Sequence, residues 1–149
     1  MSALPQALAE IVEDFTALEE AQRLELLLEF SDALPELPAR FADHPELLEQ
    51  VAECQSPIFL ALEVDPDGER AVHLFFSAPP EAPTTRGFAS VLHEGLDGVP
   101  AQAVLDVPDD MPNLLGLTRA ITPLRMRGMS GMLARIKRQV REALAAGAA

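Results

Sequence analysis

A chain of 149 residues, 48% of them hydrophobic, has the length of one ordinary domain and enough apolar material for a core, yet it has no apolar run of the roughly 20 residues that a membrane span needs. A net charge of −13 and a pI near 4.5 argue against broad nucleic-acid binding, because such a surface repels phosphates. One cysteine excludes an internal disulfide, and residues 1–6 lack the basic start and apolar core of a secretion signal, so the expected location is the cytoplasm.

In chain order, Leu4, Leu8, Ile11, Val12 and Phe15 fall at helical spacing and predict a helix over 4–15, with Ser2 as cap and Pro5 in the first turn. Leu18, Ala21, Leu24, Leu27, Leu28 and Ser31 carry a second helix to the stop at Leu34-Pro35, after a break near Thr16 with Glu19 as capping partner. Pro35, Pro38 and Pro45 punctuate an ordered loop whose Leu37, Phe41, Leu47 and Leu48 call for burial. Glu53-Cys54-Gln55-Ser56-Pro57 reads as a polar turn, since Pro57 cannot donate to a ladder and the apolar run Ile58-Phe59-Leu60 starts only afterwards.

Strands are predicted over 58–64 and 71–77, joined by the turn Asp65-Pro66-Asp67-Gly68, and a third is expected over 50–53. Pro79, Pro80 and Pro83 stop further pairing, Thr84 or Thr85 caps a helix over 86–96, and Gly95 and Gly98 end it. Val99-Pro100 opens a short helix to 105, and Pro108 and Pro112 flank a turn before Asn113 to Leu117. Thr122-Pro123 reads as cap and first residue of a long helix striped by Leu124, Met126, Met129, Leu133, Ile136, Val140 and Leu144, with Gly128 and Gly131 as weak points and residues 147–149 frayed. The order predicts a single α+β domain over 1–149, a small antiparallel sheet with helices packed on one face.

The charge is uneven. Residues 119–149 hold Arg119, Arg125, Arg127, Arg135, Lys137, Arg138 and Arg141 against Glu142 alone, so this stretch carries +6 and the remainder −19. Such a run serves either as a solvated face balancing an acidic body or as a patch for a partner.

Cys54 has two readings: a small buried hydrophobe, or a nucleophile governed by thiolate access. Its place on a polar turn favours the second, since functional groups concentrate on loops held by a rigid scaffold. His44, His73, His93 and Cys54 show no metal-ligand spacing, so no metal is expected, and no glycine-rich phosphate loop or dinucleotide signature is present. A Cys–His hydrolase needs one of those histidines to reach Cys54. A non-catalytic interaction module with an inert cysteine is the other alternative. A dithiol oxidoreductase needs two thiols and is excluded.

Cys54-Gln55-Ser56 before a strand, Arg86-Gly87-Phe88 opening a helix, and Ile121-Thr122-Pro123-Leu124-Arg125 with Gly128 just beyond follow one another as they do in the SufE family of sulfur-acceptor proteins. The chain resembles that family along nearly its whole length. The resemblance implies a SufE/NifU-like fold with three strands, and a persulfide carrier and activator rather than an enzyme, with Cys54 taking sulfur from a SufS-like cysteine desulfurase. Pyridoxal phosphate then belongs to that partner and no cofactor to this chain, and the sulfur passes to a SufBCD-like iron–sulfur scaffold.

It also implies partner contacts by Arg125, Arg119 and Arg127, with Glu53, Gln55 and Arg86 from the other motifs. Two departures stand out: Glu53 occupies the position before the cysteine where the family usually has Gly, and Ser77-Ala78-Pro79-Pro80-Glu81 replaces a usual Ser-Asp-Ala segment. A shielded Cys54, covered by Val51, Ala52, Pro57 and Ile58 and exposed when the desulfurase docks, is expected.

Overall fold

In the computed structural model, which describes residues 4–148, the N-terminal apolar spacing closes into α1 (Gln6–Thr16), with Leu8, Ile11 and Phe15 buried along one stripe. Pro5 occupies its N-cap, and Ser2, the expected cap, lies outside the described residues. Helix α2 (Glu20–Ala33) opens with the expected Glu19, whose backbone N–H donates to Gln22 Oε1 at 3.3 Å while the Glu19 carboxylate accepts in return. The following proline-rich loop contains α3 (Ala39–Ala42) and a 3-10 turn (Pro45–Leu47), which the pattern does not reveal. Phe41 is buried as expected, but Leu47 is 56% exposed.

The sheet is antiparallel in the order β1 (Glu49–Gln50), β2 (Phe59–Val64), β3 (Val72–Ser77). The first strand lies earlier than the predicted 50–53, since Glu49 pairs with Leu60 and Gln50 with Phe59 before the chain turns away. Leu60, Val72, Leu74 and Phe76 are buried in one apolar cluster with helices α4 (Pro83–Leu96) and α6 (Pro123–Ala148). Helices α1 and α2 pack against α4, so the main helical layer covers one face of the sheet. On the other face lies the short α3: the Phe41 ring lies 4.7 Å from Phe75, and Arg40 stacks on both rings and pairs with Glu63 at 2.7 Å.

Helix α4 starts three residues earlier than the sequence suggests, because Pro83 supplies the first helical residue and neither Thr84 nor Thr85 is its cap. It ends at Leu96, Gly95 stays helical, and Gly98 follows with φ +82°. Helix α5 (Ala101–Leu105) and a 3-10 turn (Met111–Leu115) lead to Thr122, whose Oγ1 accepts from the Arg125 N–H at 3.3 Å and caps α6 as expected. The helix continues to Ala148, so Gly147 remains helical, while Ala149 lies outside the described residues.

Lys137 on α6 is buried, and its ammonium donates to the Val107 carbonyl and to Asp109 Oδ1, the latter at 2.8 Å. Two hydrogen bonds thus offset the cost of removing this charge from water and fix the middle of α6 to the 107–109 loop.

Candidate functional site

Between β1 and β2 the chain makes a turn over 51–58 that carries Cys54 at its apex. The Val51 N–H donates to the Ile58 carbonyl at 2.8 Å and the Cys54 N–H to the Val51 carbonyl at 3.1 Å, so the hairpin closes behind the thiol. Val51 and Ile58 are fully buried and anchor the base of the turn, whereas Ala52 and Pro57 are exposed. Cys54 itself is half-buried and packs against the apolar cluster to which Val51 and Ile58 belong.

The remaining cover comes from α6, through a feature that helix propensity alone marks as weakness. A Cβ at Gly128 would lie 3.0 Å from Cys54 Sγ, and one at Gly131 would lie 2.8 Å from the Glu53 carboxylate. The two glycines are the space into which the turn packs. Glu53 itself is not in the left-handed region, since Arg70 is the only non-glycine residue with positive φ among the described residues. A side chain in place of the family's usual Gly is thus accommodated without backbone strain, and its carboxylate is turned towards α6.

That carboxylate is held. Arg135 donates to Glu53 Oε1 through Nε at 3.1 Å and Nη2 at 2.8 Å, and to Glu49 Oε2 through Nη1 at 2.6 Å. The Arg135 hydrogen bonds hold the Glu53 carboxyl below its usual range. Glu49 is also lowered: burial pushes it up, but hydrogen bonds from Arg135, Gln139 and Arg138 outweigh that. The thiol responds in the opposite direction. Burial, and after it the Glu53 charge, push Cys54 up to about 11, with Arg135 partly opposing them, so the resting group is a thiol at neutral pH.

Cys54 opens onto a cavity of 310 Å³ lined also by Gln55, Ser56, Glu81, Thr84, Leu124 and Arg125. The structure therefore brings together four of the residues singled out in the sequence, Glu53, Cys54, Gln55 and Arg125. Glu81 places a carboxylate here from the segment that departs from the family's Ser-Asp-Ala pattern.

Arg119 and Arg127 do not line this cavity, and Arg127 borders a separate one beside Asn113 and Ser130. Arg86 is drawn away altogether: its guanidinium donates to the carbonyls of Ser31 at 2.8 Å, Ala78 at 2.6 Å and Leu34 at 3.4 Å. There it clamps the end of α2 to the segment after β3, because three carbonyls leaving their elements need donors.

No histidine lines the cysteine cavity among the described residues. His73 sits 3.0 Å from Asp65, His44 3.1 Å from Glu46, and His93 4.0 Å from Asp97. This leaves the hydrolase reading without its base. In the sequence Arg135 stands out only as one cation of the basic C-terminal stretch and Glu49 not at all; the available signal was the spacing Gly128, Gly131, Arg135, which puts two gaps and a cation on one helix face.

A family model described as "SufE: Fe-S metabolism associated domain" matches residues 9–140. Two proteins of Mycobacterium tuberculosis, from strains CDC 1551 and H37Rv and both named uncharacterized SufE-like protein, are 54% identical over 95% of this chain and 96% of theirs. SufE-like protein 1, chloroplastic/mitochondrial, of Arabidopsis thaliana is 28% identical over 87% of this chain, which spans only 33% of that relative. The solution structure of a hypothetical protein from Thermus thermophilus superposes with a TM-score of 0.81 at 39% identity, covering 95% of this chain and 98% of the other. With the family model spanning most of the chain and close relatives matching end to end, this chain belongs to the SufE family.

Proposed function

We propose that the protein is a sulfur acceptor and activator for a cysteine desulfurase, taking sulfur on Cys54 and delivering it to an iron–sulfur assembly scaffold of the SufBCD kind in the cytoplasm. The observation that carries this reading is a sole thiol at the apex of a turn, opening onto a cavity with Arg125 at its rim. In the transfer, Cys54 loses its proton to solvent and its thiolate attacks the terminal sulfur of the desulfurase persulfide. The donor S–S bond breaks, a Cys54 S–S bond forms, and the donor cysteine leaves as thiolate, so one sulfur moves with no external oxidant or reductant. One acceptor thiol suffices. Pyridoxal phosphate, which releases the sulfur from cysteine, belongs to the desulfurase.

The cations support docking near this turn. Arg135, Lys137 and Arg138 are engaged in ion pairs, whereas Arg119, Arg125 and Arg127 are exposed with no ion pair among the described residues. Leu124, 45% exposed beside Arg125, adds an apolar contact. An acidic rim with an apolar spot on the desulfurase complements this surface.

A second reading, an interaction module with an inert cysteine, draws support from the thiol pKa near 11. Cys54→Ser separates the two, since a hydroxyl of similar volume is a far weaker nucleophile. The acceptor reading expects the variant to keep its fold and lose stimulation of sulfide release by the desulfurase. Stimulation equal to the parent's means that the chain acts by contact alone.

A further inference from the structure

Helix α6 meets the cysteine turn along a single stripe. Gly128, Gly131, Arg135 and Gln139 recur three or four residues apart and so share one face. On that face Arg135 grips two carboxylates that are held to very different degrees. Glu49 belongs to β1, is paired through its backbone to Leu60, and accepts further hydrogen bonds from Arg138 and from Gln139, the latter at 2.7 Å. Glu53 stands on the turn, and among the described residues Arg135 is the only side chain that donates to it. The backbone bonds of the turn run within the hairpin, from Cys54 to Val51, Val51 to Ile58 and Ile58 to Ser56. The pair Arg135–Glu53 is therefore the one polar tie between the turn over 52–57 and α6 among the described residues.

We propose that Arg135 is a positioning residue for the chemistry of Cys54: by holding Glu53 it clamps the turn to α6 and seats the sulfur at Gly128, and the thiol reaches a partner only when that tie lets go. The biological use of the clamp rests on the acceptor reading, but the clamp is a property of the isolated chain. The arrangement divides labour. Glu49 keeps Arg135 in place whether the turn is in or out, and Glu53 is the part that releases. With Glu53 43% and Arg135 21% exposed, the tie is open to competition by an incoming charged surface. Gly131 fits the same logic, because a side chain there would occupy the seat of the Glu53 carboxylate.

Electrostatics alone and the clamp predict opposite signs for the loss of Arg135, which makes the test decisive. If Arg135 matters only as a cation beside the thiol, Arg135→Gln disfavours the thiolate and slows alkylation of Cys54 by iodoacetamide. Under the clamp, the turn lifts, the sulfur regains solvent, and labelling at about pH 8 rises about tenfold, the effect of a one-unit fall in thiol pKa while the thiol stays mostly protonated.

Arg135→Lys keeps the charge without the two-pronged geometry, so the clamp expects a rate between those of parent and Arg135→Gln, and a purely electrostatic role expects the parent's rate. Hydrogen exchange over 52–57 is read alongside, and should accelerate in Arg135→Gln while β2 and β3 keep their protection. Slower or unchanged labelling with unchanged exchange overturns the proposal. Should Arg135→Gln not fold, Glu53→Ala removes the acceptor and leaves the bonds between Arg135 and Glu49 intact, and unchanged exchange over 52–57 in that variant overturns it equally. Neither measurement uses a desulfurase, so failure here leaves the acceptor reading standing, and the reverse also holds.

Discussion

Replacing Gly128 by Ala puts a methyl group where α6 leaves room for sulfur, and the outcome follows from three quantities. The new Cβ would stand 3.0 Å from Cys54 Sγ, 3.9 Å from its Cα and 4.0 Å from its Cβ, so only the sulfur is crowded, and it must retreat by a few tenths of an ångström. Ala in a helix interior is favoured over Gly by about 1 kcal/mol, and crowding a turn held by few contacts offsets only part of that. Net stability should therefore stay within about 1 kcal/mol of the parent, a Tm change of no more than about 4 °C for a domain of this size.

The thiol should change far more. Burial is the first cause of its elevation to about 11, and a sulfur pushed off α6 recovers solvent, so the pKa falls. Each unit of fall multiplies the thiolate at neutral pH about tenfold. Thermal melts together with the pH dependence of Cys54 alkylation measure both effects. A thiol pKa that stays at the parent value or rises, with Tm unchanged, would refute the claim that packing on α6 suppresses this cysteine.

Arg86→Ala should lower stability by about 2–3 kcal/mol, since it strands three carbonyls that now receive a charged donor, and should lower Tm by about 4–12 °C with Cys54 labelling below the transition unaffected; an unchanged Tm would return Arg86 to the surface. Arg125→Ala should keep Tm and weaken desulfurase binding, as isothermal titration would show, because Arg125 lines the thiol cavity and has no ion pair to lose among the described residues. Unaltered affinity would remove Arg125 from the docking surface. For pH, the Cys54 thiol ionises near 9.0 ordinarily and near 11 when folded, so between these values the unfolded chain releases a proton that the folded chain keeps. Stability should then fall as pH rises through that window, and denaturant unfolding of Cys54→Ser should lack this share of the decline.

What the sequence discloses and what it conceals divide along local and non-local lines. The Cys54 turn is legible because Pro57 and three polar neighbours interrupt an apolar run, and the Glu19 cap because its partner Gln22 lies three residues on. Strand β1 falls earlier than the pattern places it: it is two polar residues long, and it exists through pairing with β2 and through Arg135, Arg138 and Gln139 about 90 residues away, none of which a local pattern reveals.

Gly128 and Gly131 show the same limit in sharper form. By propensity alone they weaken a helix, and only the packed turn explains them. The basic C-terminal stretch reads as one patch in sequence, but pairing splits it into structural cations at Arg135, Lys137 and Arg138 and, among the described residues, cations with no ion pair at Arg119, Arg125, Arg127 and Arg141. The motif around Arg86 points to a surface role, whereas the carbonyls at the end of α2 and after β3 claim its guanidinium.

Whether Cys54 receives sulfur is read by peptide mass spectrometry of the protein after incubation with its desulfurase, cysteine and pyridoxal phosphate, quenched by alkylation. Sulfur acceptance predicts a Cys54 peptide carrying one extra sulfur beneath the alkyl group, lost on reduction and absent when cysteine is omitted. A Cys54 peptide bearing only the alkyl group, under conditions where the desulfurase itself is seen to carry persulfide, would contradict it.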